Sequence, residues 1–121
     1  MNLNFCWTTL RVGNLENSLK FYHELLQLPI SGRFGGDGKE IVMLGKEDQP
    51  KIELLWDKDG SPLKREAGIS VGFAVPSLEE AMEYLKSKEI PMHGPISPNP
   101  HTRFLFIQDP DGFTVQLVEN K

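Results

Sequence analysis

The chain repeats its own pattern at one fixed offset, and this repeat constrains the fold more than any other feature. Sliding the 121-residue sequence by 63 positions brings three separate segments into register without a gap. The pairs are residues 10–22 with 73–85, 41–44 with 104–107, and 52–55 with 115–118. Few residues are identical, but the apolar positions agree throughout. The repeat predicts one domain built from two similar modules, about residues 5–60 and about residues 68–120.

Each module has the pattern of a strand, then a helix, then further strands. In the first module, residues 6–12 have the composition of a strand and Asn14 is a helix cap. A helical apolar stripe follows and ends before Pro29; it consists of Leu15, Leu19, Tyr22 and Leu25/Leu26. In the second module, Ser77 and Glu80 have the spacing of a capping box, which predicts a helix that ends before Pro91.

Short apolar strands are predicted after each helix, at 40–45 with 51–56 and at 103–108 with 113–119. A turn sequence at 109–112 joins the last two strands. The pattern therefore predicts an α+β fold of two βαβββ modules, with mainly antiparallel sheet and the helices on one face. One weak strand in each module is not placed by the pattern. We interpret the stretches 31–38, rich in glycine, and 94–100, rich in proline, as connections and possible lids.

Charge and composition exclude several classes of partner. Thirteen Lys and Arg against seventeen Asp and Glu give a net charge of -4, which disfavours binding to nucleic acid phosphates. No apolar run approaches the ~20 residues that a membrane-spanning helix needs. The single cysteine, Cys6, cannot form an internal disulfide, so a reducing cytoplasm is the expected location. A small-molecule ligand or a protein partner remains.

Three segments identify a family resemblance that covers nearly the whole chain: residues 8–22, 52–54 and 106–117. The sequence resembles the glyoxalase I, bleomycin resistance protein and extradiol dioxygenase group, the vicinal oxygen chelate superfamily. The closing segment, 106–117, is especially similar to glyoxalase I. The resemblance implies that the two modules form a cup of curved sheet around a ligand. It also implies that the cup is often shared between subunits, so we expect a homodimer.

Carried over from metal-dependent members of the family, the four metal-binding positions fall on Trp7, Glu53, Ser70 and Gln116. The 63-residue repeat pairs the same positions, Trp7 with Ser70 and Glu53 with Gln116. An indole is not a ligand for divalent Ni, Zn, Co or Fe, and a serine hydroxyl is a weak one. The sequence therefore predicts that no metal or other cofactor is bound.

Other metal-type side chains also lack a binding pattern. The three histidines, His23, His93 and His101, do not fall at ligand positions, and His23 is expected on a solvated helix face. The segment 57–60 lacks the further oxygens of a calcium loop, so it is interpreted as a solvated turn.

Eight residues are the candidate ligand-binding set: Trp7, Arg11, Met43, Glu53, Ser70, Phe104, Phe106 and Gln116. Trp7 either stacks on a planar ligand or fills the space of the missing ion. Arg11 either binds a carboxylate or phosphate or pairs with an acidic neighbour. Residues 104–107 are apolar throughout, so the pattern does not decide which of them face the cup.

Three functions are compatible with these observations. The preferred one is a protein of the bleomycin-resistance kind that binds a small molecule in a metal-free cup. The alternative is a glyoxalase I-like lyase, of the lactoylglutathione lyase type, or an isomerase with an atypical metal site, in which Glu53 is the general base. The third is a non-catalytic dimeric module whose cup is filled.

Overall fold

The computed structural model describes residues 1–2, 4–60 and 69–120. The chain divides into two compact units, Met1–Lys64 and Arg65–Lys121. Unit 1 begins with β1 (Trp7–Arg11) and α1 (Leu15–Leu19), which continues directly into a π-helix (Lys20–Leu25). Three strands follow: β2 (Ile30–Gly36), β3 (Lys39–Leu44) and β4 (Lys51–Asp57). They form one sheet in the order β1-β4-β3-β2, in which β1 and β4 are parallel and the other pairs antiparallel.

Unit 2 has the same architecture. It contains β5 (Ser70–Ala74), α2 (Leu78–Ser87), β6 (His93–Asn99), β7 (Thr102–Gln108) and β8 (Thr114–Asn120). Its sheet has the order β5-β8-β7-β6, again with one parallel pair, β5 with β8. Each strand of unit 2 begins 63 residues after its counterpart in unit 1. The predicted α+β fold of two βαβββ modules is therefore confirmed, and the repeat offset holds for every strand.

Alternation along the strands places one face of each sheet against the helices. In unit 1 the side chains of Leu10, Val42 and Leu54 are buried, while the residues immediately before and after each of them are partly or fully exposed. In unit 2 the corresponding buried residues are Leu105 and Leu117. Helix α1 contacts β4, and helix α2 contacts β8. The opposite face of each sheet is consequently free of the unit's own helices.

The first helix differs from the predicted one. It begins as expected, with the Asn14 side chain accepting a hydrogen bond from the N–H of Asn17 at 3.0 Å. From Lys20 onward it is a π-helix, whose wider turn changes which residues face the sheet. Phe21 and Tyr22 are both buried, with their rings edge to face at 4.9 Å between centroids. The predicted apolar stripe included Tyr22 but not Phe21. A regular α-helix would not turn both of these consecutive rings towards the sheet.

The stretches interpreted as connections are strands, and this part of the sequence interpretation was wrong. Most of 31–38 belongs to β2 and most of 94–100 to β6. Both are edge strands, where glycine and proline are tolerated because one side needs no ladder partner. Asp37 and Gly38, with φ of 53° and 80°, form the two-residue turn between β2 and β3. An Asp-Gly pair is a strong hairpin signal that could have identified β2.

The predicted caps and turns are otherwise confirmed. Ser77 caps α2, accepting a hydrogen bond from the N–H of Glu80 at 3.2 Å. At the turn before β8, the Asp109 side chain accepts hydrogen bonds from two backbone N–H groups, those of residues 111 and 113. The segment 57–60 is a turn, as predicted: the Asp57 side chain accepts from the N–H of Asp59 at 3.0 Å. Among the described residues no helix is long and apolar enough to cross a membrane.

A charged network that the sequence did not suggest supports the start of α2. Glu119, which is buried on β8, accepts a hydrogen bond from the N–H of Leu78 at 2.7 Å. Arg103 lies 2.5 Å from Glu79 and 3.6 Å from Glu119. Hydrogen bonding to Glu79 raises the pKa of Arg103 above its ordinary range, so the guanidinium is charged at any working pH. The network therefore places two carboxylates and one guanidinium at the N-terminal end of α2, the helix that packs against the sheet of unit 2.

Candidate functional site

The predicted residues of unit 1 lie together on the sheet face turned away from its helix. On β1, Trp7, Thr9 and Arg11 alternate to this side, and Thr9 is directly opposite Glu53 on β4. Glu53 is in turn opposite Met43 on β3. We call the surface formed by these five residues the open face of unit 1. Sequence reasoning named four of them and missed Thr9.

Glu53 is held in place by the strand beside it. The Thr9 hydroxyl donates a hydrogen bond to Oε1 of Glu53 at 2.7 Å. The side chain is partly exposed, and among the described residues its second oxygen, Oε2, accepts no hydrogen bond and forms no ion pair. The open face therefore presents one carboxylate oxygen with a fixed partner and one that is available to a ligand.

The two basic residues nearest to Glu53 do not neutralise it. Lys51, opposite Trp7, donates from Nζ to the backbone carbonyls of residues 46, 47 and 49 in the turn before β4. The guanidinium of Arg11 lies against Gly60, where a Cβ atom would be only 2.5 Å from Nη2. Within the described ranges Arg11 forms no ion pair, so its donors are available to an anion.

Trp7 is the largest exposed side chain on the open face, with 53% of its surface accessible. Trp7 is on β1, an edge strand of the sheet, two residues before Thr9. Beyond Met43 the same sheet face continues to Ile41 and Phe34, which are register partners on β3 and β2. A shallow depression of about 230 Å³ lies there, lined by residues 34–37, 39 and 41. Sequence reasoning missed this depression because it interpreted 31–38 as a connection.

The predicted residues of unit 2 also share the face turned away from their helix. Phe106 is directly opposite Gln116, and Phe104 is two positions along the same strand. The two phenylalanine rings pack edge to face, with 5.4 Å between centroids. The structure thus decides what the sequence left open: Phe104 and Phe106 share the face of Gln116, and the residues between and beside them face the helix. Ser70 is exposed at the start of β5.

Gln116 lacks the hydrogen-bonding neighbour that Glu53, at the equivalent position of unit 1, has in Thr9. Its register partner is Gly72, which stands where Thr9 stands in the repeat. A Cβ atom on Gly72 would lie 3.5 Å from Oε1 of Gln116. The glycine therefore leaves room for the amide but supplies no side-chain donor. Sequence alone could have located this difference, by comparing positions 9 and 72.

The histidines have individual settings. His23 is exposed, as expected, and its Nδ1 lies 2.8 Å from the carbonyl oxygen of Leu28. His101 is exposed in the turn before β7. His93 is the first residue of β6 and is the register partner of Phe106. It is a further member of the unit 2 face that sequence reasoning did not place.

The donor chemistry at the four metal positions does not fit a divalent transition metal. Trp7 has no lone pair to donate, and Glu53 already shares one oxygen with Thr9. Ser70 and Gln116 add a neutral hydroxyl and a neutral amide. Among residues 1–2, 4–60 and 69–120 no three His, Cys, Asp or Glu side chains are grouped so as to hold an ion. The residues present supply one anion where such sites use several carboxylates or imidazoles.

Comparison with known proteins agrees with this geometry at the level of the family. The chain is 29% identical to the lactoylglutathione lyase of Neisseria meningitidis serogroup A, over 94% of this chain and 88% of the relative. It is 29% identical to the lactoylglutathione lyase of Haemophilus influenzae, over 94% of this chain and 90% of that protein.

Solved structures show the same fold. A glyoxalase I of Leishmania major, described as trypanothione-dependent, superposes with a TM-score of 0.83 at 22% identity, covering 98% of this chain and 87% of that one. The antibiotic-binding protein TnmS3 of Streptomyces sp. CB03234 superposes with a TM-score of 0.77 at 16% identity, covering 99% and 98%. The family model for the Glyoxalase/Bleomycin resistance protein/Dioxygenase superfamily matches residues 4–117. With its repeated βαβββ units and this match, the chain belongs to that superfamily.

Proposed function

We propose that the protein binds a small organic molecule on its open sheet faces and that it does so without a resident metal ion. The observation that carries the proposal is the pair formed by Trp7 and Glu53. An indole that is 53% exposed lies on the same sheet face as a carboxylate that accepts a hydrogen bond from Thr9, and Trp7 is two residues before that threonine on β1. These are two of the positions at which the family resemblance places metal ligands, and here they offer a stacking surface and a hydrogen-bond acceptor.

The exposed indole supplies a useful part of the binding free energy. A tryptophan side chain buries about 200 Å² when fully covered, so covering the remaining half is worth roughly 2–3 kcal/mol at ~25 cal/mol/Å². Stacking geometry on a planar ring adds about 0.5–1.5 kcal/mol. This exposure favours the binding hypothesis over a non-catalytic module with a filled cup, in which Trp7 would be covered.

The other predicted residues extend the proposed site. Arg11, two residues beyond Thr9 on the same face, forms no ion pair among the described residues and suits a carboxylate or phosphate of the ligand. In unit 2, Phe104 and Phe106 give apolar contact and Gln116 gives an amide that both donates and accepts. Each face by itself offers aromatic surface with a small number of polar groups, which is typical of small-molecule sites.

Tryptophan fluorescence combined with a thermal-shift screen tests this function. The screen uses planar aromatic compounds of differing charge, and Trp56→Phe leaves Trp7 as the only reporter. We expect binding to change the Trp7 emission and raise the melting temperature, and Trp7→Ala to weaken binding by roughly 10-fold or more. If no compound in the screen shifts either signal, the proposal is refuted.

The metal-free part of the proposal has its own experiment. The purified protein is treated with EDTA, and Ni²⁺ or Zn²⁺ is then titrated in by calorimetry. We expect no stoichiometric binding that depends on Glu53, and ligand binding unchanged by EDTA. Tight one-to-one binding that disappears in Glu53→Gln would contradict the metal-free proposal.

A glyoxalase I-like reaction is the second candidate function. It is favoured by the relatives at 29% identity that are named lactoylglutathione lyase. In that case Glu53 is the general base that takes a proton next to the substrate carbonyl, and an isomerase would use it in the same way. Turnover of the hemithioacetal of methylglyoxal and glutathione, with and without added Ni²⁺ or Zn²⁺, tests this. Activity that Glu53→Gln abolishes would establish it in place of simple binding.

We further propose that the protein is a homodimer in the cytoplasm. Each unit has about 60 residues, which is small for an independent core, and this favours association between chains. Light scattering coupled to gel filtration measures the mass directly. A 13.7 kDa species at micromolar concentration would contradict the dimer, and about twice that mass would support it.

A further inference from the structure

We propose that Thr9 is a positioning residue, which fixes Glu53 as the acceptor for the N–H groups of a planar, cationic ligand stacked on Trp7. The inference rests on the proposed binding function and adds to it a ligand class and a residue that no comparison assigns. Its basis is the hydrogen bond from the Thr9 hydroxyl to Oε1 of Glu53, 2.7 Å long.

The hydrogen bond restricts what the carboxylate can do. With Oε1 hydrogen-bonded to Thr9 on β1, the rotamer of Glu53 that makes this bond is favoured before any ligand arrives. A side chain that is fixed in advance costs less conformational entropy when it binds. Among the described residues Oε2 accepts no hydrogen bond, so it remains as a single directed acceptor.

The surrounding charges select a cationic group over an anion at this point. Lys51 is occupied by three backbone carbonyls of the preceding turn, and the guanidinium of Arg11 lies against Gly60. Neither forms an ion pair with Glu53, so this one carboxylate has no cationic partner within the described part of unit 1. A cation there gains both the Coulomb attraction and a charge-assisted hydrogen bond.

The neighbouring indole selects a planar cation over a compact one. Trp7 is two residues before Thr9 on the same face of β1 and has 53% of its surface exposed. The face of an indole attracts a delocalised cation as well as providing apolar contact. An aromatic amidinium has both properties: a flat ring and a planar set of N–H donors that fits a carboxylate oxygen. The geometry of unit 1 therefore matches an aryl cation.

The experiment compares three probes that share one ring: benzamidinium, neutral benzamide and anionic benzoate. Binding to the full-length protein is followed by the NMR signal of the Trp7 indole N–H, with Trp56→Phe as background. We expect benzamidinium to bind about 10-fold or more tightly than the other two. Glu53→Gln removes this preference, and Thr9→Val weakens benzamidinium about 3- to 10-fold.

Two control variants separate positioning from general damage. Thr9→Ser keeps the hydroxyl and is expected to retain affinity within about twofold of the wild type, reversing the effect of Thr9→Val. Thr8→Val makes the same substitution on the opposite face of β1 and is expected to change nothing.

The outcomes distinguish this inference from the function on which it rests. If benzoate or benzamide binds as well as benzamidinium, or if Thr9→Val binds like the wild type, the positioning role is refuted while small-molecule binding stands. If neither these probes nor the broader aromatic screen affects Trp7, both proposals are refuted. The expected order of affinities together with rescue by Thr9→Ser supports both.

Discussion

Replacing Glu119 tests whether the charged network at the start of α2 is a main support of unit 2. Glu119 is 4% exposed, and its Oε2 accepts the N–H of Leu78, the first residue of the helix, at 2.7 Å. In Glu119→Ala this N–H loses its acceptor in a buried position, and Arg103 loses one of the two carboxylates that it faces among the described residues. A hydrogen bond to a charged group contributes about 1.5–3 kcal/mol, and an unpaired buried donor accounts for much of that cost. We expect a loss of about 3 kcal/mol in the free energy of unfolding.

The assay is urea denaturation followed by circular dichroism. With a slope of about 1.5 kcal/mol/M, a loss of ~3 kcal/mol moves the midpoint down by roughly 2 M. Glu119→Gln keeps an acceptor for Leu78 and is expected to lose only about 1 kcal/mol. Glu79→Ala, at a carboxylate whose side chain is 66% exposed, is expected to lose less than about 1 kcal/mol.

The reasoning about Glu119 is refuted by either of two results. If Glu119→Ala unfolds within about 0.5 kcal/mol of the wild type, the buried hydrogen bond is not a significant support. If Glu119→Gln, which keeps the side-chain size and a neutral acceptor, costs as much as Glu119→Ala, the negative charge matters and the acceptor alone does not.

Three further predictions concern the repeated fold. Leu54→Ala and Leu117→Ala, at equivalent positions of the two sheets, should each lower the free energy of unfolding by about 2–5 kcal/mol in urea, and a loss below about 1 kcal/mol at both would contradict the core assignment. Gly38→Ala places a Cβ at a φ of 80°, so we expect a loss of about 1 kcal/mol in thermal unfolding, whereas an unchanged melting temperature would show that the turn relaxes. Ser77→Ala should cost about 1 kcal/mol and Ser77→Asp should cost little, since aspartate also caps; equal losses in chemical denaturation would argue against capping.

The fold could be predicted largely from sequence because its determinants are local and occur twice. Strand alternation, the caps at Asn14 and Ser77 and the turn at 109–112 depend on neighbouring residues, and the 63-residue offset gave the strands and the caps an independent second observation. The edge strands were missed because glycine and proline weaken the apolar pattern, while β2 and β6 still pair with β3 and β7 through ladders that contain register shifts. The π-helix was missed because it depends on burial of Phe21 and Tyr22 against the sheet.

The candidate site was predictable in its positions but not in its interactions. Period-two alternation correctly placed Trp7, Arg11 and Glu53 on one face, since side-chain direction in a strand follows residue number. The hydrogen bond between Thr9 and Glu53 links residues 44 positions apart. The local sequence of β1 or of β4 does not determine that these two strands pair, or in which register they do so.

By itself the sequence determined the repeated α+β architecture, the family and the absence of a suitable donor set at the metal positions. Each of these follows from residue type and spacing along the chain. Only the tertiary structure decided that Phe104 and Phe106 share the face of Gln116, that neither Lys51 nor Arg11 forms an ion pair with Glu53, and that Glu119 accepts a hydrogen bond from the start of α2. These facts depend on the parallel pairing of β1 with β4 and of β5 with β8, which brings together distant segments whose side chains then compete for partners.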